Sequence, residues 1–320
     1  MRLAVVAAAA FATACAGPAQ NATAPSRVSP PVTRPASLSA PLDDKAVAAA
    51  TGVETVEALA DGVMKVSFPR QGLVAVDGWS MPPFMGVTSW AAFSRGRAGV
   101  AEAMVMGDLV LLEDEVNPVM SVLLDAGLEI TALHNHFFFD TPRVYFMHIG
   151  GEGSIAALGN GVRAAIEKTR AIRKSAPSPA SRSGAPPLPA ASAIDASMLE
   201  AALGFKGQAK DGMFKATVGR KATASCGCSV GKAMGVSTWA AFAGTDEVAV
   251  VDGDFAVLES ELRPVLASLR AGGVDVVAIH HHMTGETPRI LFVHYWGRGR
   301  AADLAAVVRR TLALTAHVAP

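Results

Sequence analysis

Apolar and polar positions along this chain form a pattern that runs through once and then again in the same order. Each pass opens with a short segment of helical spacing, "KAVAAATG" at 45–52 and "SMLEAALG" at 197–204, closed by a glycine suited to a C-cap. A strand pattern follows at 62–68 ("GVMKVSF") and at 212–218 ("GMFKATV"). Two more strands are predicted, "TSWAAF" and "GDLVLLE" in the first pass, "STWAAF" and "GDFAVLE" in the second, rich in apolar and aromatic residues. A helix is expected next at 117–127 and 263–273, with proline near its first turn and glycine at its end. A histidine-bearing strand, a tight turn, a returning strand and a closing helix (156–170 and 301–315) complete each pass. This order predicts an α+β fold of two homologous domains, each an antiparallel sheet with helices packed on one face.

The two passes share residues as well as rhythm. "MGVTSWAAF" and "MGVSTWAAF" agree at seven of nine positions, and "GDLVLLEDEVNPVMSVLLDAG" aligns with "GDFAVLESELRPVLASLRAGG" at an offset of 146. Two long copies point to a duplicated domain, since a solenoid needs more and shorter repeats. The expected boundaries are 42–174 and 194–320, joined by a Pro/Ala/Ser linker at 175–193 that is long enough for the halves to pack face to face. Residues 1–14 read as a signal peptide, with Arg2, a short apolar stretch and small residues before Cys15. The site before Cys15 is similar to a lipoprotein box, although Ala12 stands where Leu is usual; simple cleavage after Ala14 is the alternative. Residues 15–41 read as a disordered tether. The expected location is therefore outside the cytoplasm, periplasmic or lipid-anchored at the cell envelope.

The chemistry concentrates in "LHNHFFFDTPRVYFMHIGG" and "IHHHMTGETPRILFVHYWG". His134, His136 and His148 in the first recur as His280, His282 and His294 in the second, while Asn135 becomes His281. Strand side chains alternate faces, so the outer members of each His-x-His point together and the middle one points away. A hairpin centred on Thr141 sets His134 opposite His148; one centred on Thr287 sets His280 opposite His294. Opposed Cβ atoms lie roughly 4.5–5.5 Å apart and diagonal ones roughly 7–8 Å, close enough for three imidazoles to share an ion. Such a triad suits a divalent transition metal, zinc ahead of copper, with an open fourth position.

Several neighbours can complete a site. Glu113 and Glu259, at the ends of equivalent strands, are candidates for ligand or general base, against the plain reading of a solvated strand end. Arg143 and Arg289 follow Thr-Pro and can clamp an anion or lock the turn. Asp140 and Glu286 suit turn capping. Trp90 and Trp239 read as core aromatics, and Met283 as a gap filler. "SCGCS" holds Cys226 and Cys228, two soft donors too few for a zinc site and too close in sequence for an unstrained disulfide.

Composition narrows the partners. Lys+Arg and Asp+Glu number 28 each in 320 residues, and this balance argues against nucleic acid or an anionic membrane surface as main partner. A membrane contact is expected only through lipid on Cys15, and the expected ligand is a metal ion or small molecule. The histidine motifs, together with "SWAAF"/"TWAAF" and "VMGDLVLLEDEVNPVM", resemble the LppY/LpqO-like family of bacterial exported proteins and lipoproteins. That resemblance spans about residues 44–315 and implies a duplicated unit without assigning it a chemistry. Three readings stay open: a metal-binding carrier, buffer or sensor; a metal-dependent hydrolase; and a non-metal envelope module. A cleft beside an open coordination position favours the enzyme, and a closed or shallow site favours the carrier.

Overall fold

The computed structural model describes residues 42–180 and 187–317, with both repeats in one compact unit. In the first repeat, α1 (Asp44–Thr51) leads to β1 (Glu57–Ala58) and β2 (Met64–Pro69). A small hairpin, β3 (Ala75–Val76) and β4 (Trp79–Ser80), precedes β5 (Thr88–Arg95) and β6 (Ala103–Leu112). Then come α2 (Glu113–Asp125), β7 (Glu129–His134), β8 (Asp140–Thr141), β9 (Val144–Gly153) and α3 (Ile155–Ser175). The second repeat runs α4 (Ala196–Leu203), β10 (Gln208–Lys210) and β11 (Met213–Gly219), then the hairpin β12 (Ala222–Thr223) and β13 (Ser229–Val230). It continues with β14 (Ser237–Gly244), β15 (Ala249–Val257), α5 (Glu259–Ala271), β16 (Asp275–His280), β17 (Leu291–Gly299) and α6 (Ala301–Leu312).

Local signals account for the element ends. Asp43 and Asp195 cap α1 and α4 through their side chains, and Gly52 and Gly204 close them in the left-handed region. Helices α2 and α5 begin at Glu113 and Glu259, four residues before the apolar spacing suggests. The reason is a turned-back carboxylate: Glu115 and Glu261 each accept the N–H of the residue before the helix, Leu112 and Leu258, at 2.9 Å. Arginines hold both carboxylates in place. Arg70 reaches Glu115 at 2.5 and 2.9 Å, and Arg220 reaches Glu261 at 2.6 and 3.0 Å.

The repeats join edge to edge rather than face to face. One twelve-stranded sheet runs β1-β2-β5-β6-β9-β7-β16-β17-β15-β14-β11-β10, six strands from each repeat. At the seam β7 meets β16 antiparallel, with Leu133 opposite Ile279. Away from that pair the strands part, and Asn117 of α2 takes up the free backbone of Val276. Its amide donates to Val276 O at 3.1 Å and accepts from Val276 N at 2.8 Å, as a neighbouring strand would. The same position in α5 is Arg263, which donates to Leu124 O at 2.8 Å.

Strand alternation gives the sheet two unlike faces. Val105, Leu109 and Leu111 of β6 and Val251, Phe255 and Val257 of β15 join the main core with residues from all six helices. The opposite face carries two small apolar clusters instead, one around Phe146, Val110 and Leu112, the other around Phe292, Ala256 and Ile290. Each is covered by its repeat's loops and small hairpin, and the strip between them is the face on which the histidines stand. The end of the linker lies along the second repeat, where Ala193 N donates to Gly244 O and Ile194 N to Gly212 O. No described helix is long and apolar enough to cross a membrane.

Candidate metal centre

The histidine hairpins pair two residues away from the expected register. His134 lies opposite Phe146, not His148, and His280 lies opposite Phe292, not His294. The loops explain the slip. Thr141 and Thr287 are not turn centres: Thr141 pairs with Ala75 of β3, and Thr287 bridges Thr223 of β12. The strands therefore stop at His134 and His280, and the chain returns only at Val144 and Leu291. A slip of two keeps every side chain on its face, whereas a slip of one would have reversed them all. Asp140 and Glu286 cap the returning chain as expected, accepting from Val144 N at 2.8 Å and Ile290 N at 2.9 Å.

His136 and His282 sit beyond the strands, yet they fold back over the same face. Their rings lie flat on Phe146 and Phe292, with centroids 3.3 and 3.5 Å apart, which brings them 5.1 Å from His134 and 5.0 Å from His280. The middle residues point elsewhere. Asn135 donates to Val144 O at 3.1 Å, and His281 Nε2 accepts from Arg289 at 3.2 Å.

In the second repeat the donors converge. His280 Nε2 and His282 Nε2 are 3.1 Å apart, and each is 3.6 Å from Asp254 Oδ2. Ligands at about 2.0–2.2 Å from a tetrahedral ion are themselves about 3.3–3.6 Å apart, so this triangle has the size of one face of a coordination shell. Asp254 is 4% exposed on β15, and its Oδ1, like His280 Nδ1, is buried without a hydrogen-bond partner among the described residues. Burial lowers the His280 pKa, only partly offset by Asp254, which favours the neutral imidazole a metal needs.

His294 stands beside this group rather than in it. It lies across the ladder from Asp254, its Nδ1 is 3.8 Å from Asp254 Oδ2, and its Nε2 donates to Asp252 Oδ1 at 3.0 Å. The Asp254 carboxylate facing it raises its pKa against the opposing effect of burial, with Asp252 adding to the rise. Trp239, expected in the core, is half-buried on this open face. It packs edge-on to His294 at 5.9 Å with the Lys215 ammonium 4.1 Å over its ring, and Trp90 carries Lys65 in the same way.

The first repeat holds the same residue types in another arrangement. His134 stacks between His136 and His148 at 5.1 and 5.0 Å, beside buried Asp108, whose Oδ1 is also unpartnered among the described residues. Burial is the first cause that lowers the His136 pKa. Among the described residues, only Asp254, His280 and His282 bring three such donors within 4.8 Å of one another.

The other candidates fall outside that group. Glu113 and Glu259 are exposed at helix starts, and Glu259 lies 3.8 Å from Arg289. Arg143 lies beside Tyr145, whose hydroxyl pKa is raised by burial and then by the charge of Glu113, with Arg143 opposing the rise. Cys15 lies outside the described residues.

The carboxylate that sequence reasoning missed stands in the repeated Gly-Asp of "GDLVLLE" and "GDFAVLE". The signal was a charged residue inside an apolar strand, twice. The glycine before it is explained by close approach: a Cβ on Gly253 would strike Trp239 O and the Tyr295 hydroxyl, and one on Gly107 would sit 2.6 Å from Trp90 O. A cavity of about 550 Å³ opens beside the centre, lined by Glu113, Tyr145, Asp252, Val277, His294 and Trp296.

These features define a duplicated α+β protein with a candidate metal group on the open face of its sheet. Both repeats match the family model described as Domain of Unknown Function (DUF1259), over residues 45–168 and 197–314, and the chain belongs to that family. No curated protein and no solved structure matches it.

Proposed function

We propose that this is an exported metal-binding protein of the narrower LppY/LpqO-like group. In this reading its second repeat holds a divalent transition-metal ion, zinc ahead of copper, on His280 Nε2, His282 Nε2 and Asp254 Oδ2. The observation that carries the reading is the triangle of 3.1, 3.6 and 3.6 Å between those atoms, within reach of one ion. His294 faces Asp254 across the ladder, its Nδ1 3.8 Å from Asp254 Oδ2, and can close the shell. The first repeat's His134, His136 and His148, with Asp108, form a weaker site, because their rings stack instead of converging. Export and anchoring through Cys15 rest on the N-terminal sequence alone.

Elemental analysis of full-length protein purified without a histidine tag tests the reading. One ion of zinc type is expected to remain, and the Asp254→Asn, His280→Ala, His282→Ala variant is expected to lose it. His281→Ala is expected to retain it; a loss equal to that of His280→Ala sinks the geometry.

The cavity beside His294 favours a second reading, a metal-dependent hydrolase that uses the open position to activate water. Glu113 then serves as base, since it lines the cavity while Glu259 is turned to Arg289, and Arg143 or Arg289 holds an anionic group of the substrate. Metal-dependent turnover of an ester or phosphoester that Glu113→Gln removes without removing the ion supports this reading. Unchanged turnover in that variant ends the role of Glu113.

A further inference from the structure

The hairpin of β12 and β13 has no chemical counterpart in the first repeat. There, β3 and β4 turn through Asp77 and Gly78, both with positive φ, and carry no thiol. In the second repeat the connection is three residues longer and reads Ala224-Ser225-Cys226-Gly227-Cys228. Its backbone is tightly closed: Gly227 N donates to Ala224 O at 2.8 Å, and Ala224 N donates to Cys228 O at 2.9 Å. Gly227 takes φ 81°, the left-handed step that closes the inner turn of this loop. Both cysteines are free and exposed, two residues apart on this closed turn. Nothing lies within 4 Å above Gly227, so solvent reaches the tip.

The tip is also held firmly. Thr223 N donates to Thr287 O, and Thr287 N donates to Thr223 O, each at 2.8 Å, tying the hairpin to the loop that carries His282. Ala224 and Met283 pack on the same small apolar cluster. Two thiols on one clamped, open turn need a role other than packing, because neither is buried.

We infer that Cys226 and Cys228 form a second metal site, specific for a soft monovalent ion of the Cu(I) type. Two thiolates do not complete a zinc shell, which takes four ligands in a structural site. Cu(I) prefers thiolate sulfur, and two sulfurs suffice for it. Binding releases the two thiol protons to solvent and forms two Cu–S bonds, with no change of oxidation state. Exposure on a hairpin tip makes the ion exchangeable with another carrier. The Asp254 centre offers nitrogen and oxygen instead, so the two sites sort ions by softness within one repeat.

Anaerobic titration of the reduced full-length protein with Cu(I), in competition with a chromogenic Cu(I) chelator, tests this. One equivalent is expected to leave the chelator and to give an ultraviolet thiolate-to-copper charge-transfer band. Cys226→Ser and Cys228→Ser are each expected to abolish both signals and to leave Zn(II) uptake unchanged. Cys15→Ser and the Asp254→Asn, His280→Ala, His282→Ala variant are expected to keep them. Circular dichroism of the serine variants should match the parent, since both positions are exposed. The inference is overturned if the protein takes no Cu(I) from the chelator, or if the double serine variant takes as much as the parent. It is equally overturned if the thiol band disappears with the histidines, which would place the ion at the other centre.

Discussion

The two repeats are the same fold with the same histidines, and only one of them gathers its donors. In the second, His280 and His282 meet Asp254, and His294 is turned toward Asp252. In the first, His134, His136 and His148 stack ring on ring, and the position of Asp252 is taken by Met106, 59% exposed. The loop after the His-x-His differs too: Phe138 and Phe139 are 85% and 86% exposed in the first repeat, where the second has Thr284 and Gly285. Histidine spacing is thus necessary for the centre and not sufficient. What separates the repeats here is Asp252, a carboxylate on the adjacent strand that holds the His294 ring.

The largest test of that contrast lies beneath the site, in the buried pairs that start α2 and α5. Arg220 is the arginine held against Glu261, whereas Glu115 is reached by Arg70 and also by Arg173 at 3.0 Å. Arg220→Ala should cost about 3–5 kcal/mol, the usual penalty for stranding a buried charge. Arg70→Ala should cost clearly less, because Arg173 remains. Urea unfolding of the two variants measures the gap, and equal costs would show that the second arginine is idle.

The seam comes next. Asn117→Ala leaves the N–H and C=O of Val276 without partners and should cost about 1–3 kcal/mol. Arg263→Ala removes one bond from an exposed side chain and should cost about 0.5 kcal/mol or less. Hydrogen exchange at Val276 should quicken in the first variant only.

Acid should act on the second repeat through Glu261. Burial works against its charge, but Arg220 and the N–H groups of Ala316 and Leu258 outweigh that and hold its pKa below the ordinary 4.5. The stabilisation is complete above 4.5 and is lost as pH falls through the lower folded value. The urea midpoint should therefore drop as pH falls below 4.5, and Glu261→Gln should flatten the drop while lowering the midpoint at pH 7. A smaller effect is expected from Asp252→Met, which writes the first repeat's residue into the second. His294 should then titrate closer to an ordinary imidazole by NMR, though not fully, because Asp254 also raises it.

Much of this was legible in the linear pattern. The offset between repeats, the capping glycines and the alternation of strand faces placed the elements and pointed Asn135 and His281 away from the site. Register was less accessible. Its cause is Thr141 pairing with Ala75 and Thr287 with Thr223, contacts between segments more than sixty residues apart that no local signal announces. The helix starts at Glu113 and Glu259 were hidden for a similar reason, since Arg70 and Arg220 complete them from far upstream.

By itself the sequence determined the duplication, the α+β order and which side of each strand its histidines occupy, because period and parity are properties of the local backbone. Only the tertiary structure decided that the repeats share one sheet and that Asp254 and His282, rather than His294, stand with His280. Convergence depends on where separate strands and loops come to rest beside one another, and that is set by the packed whole.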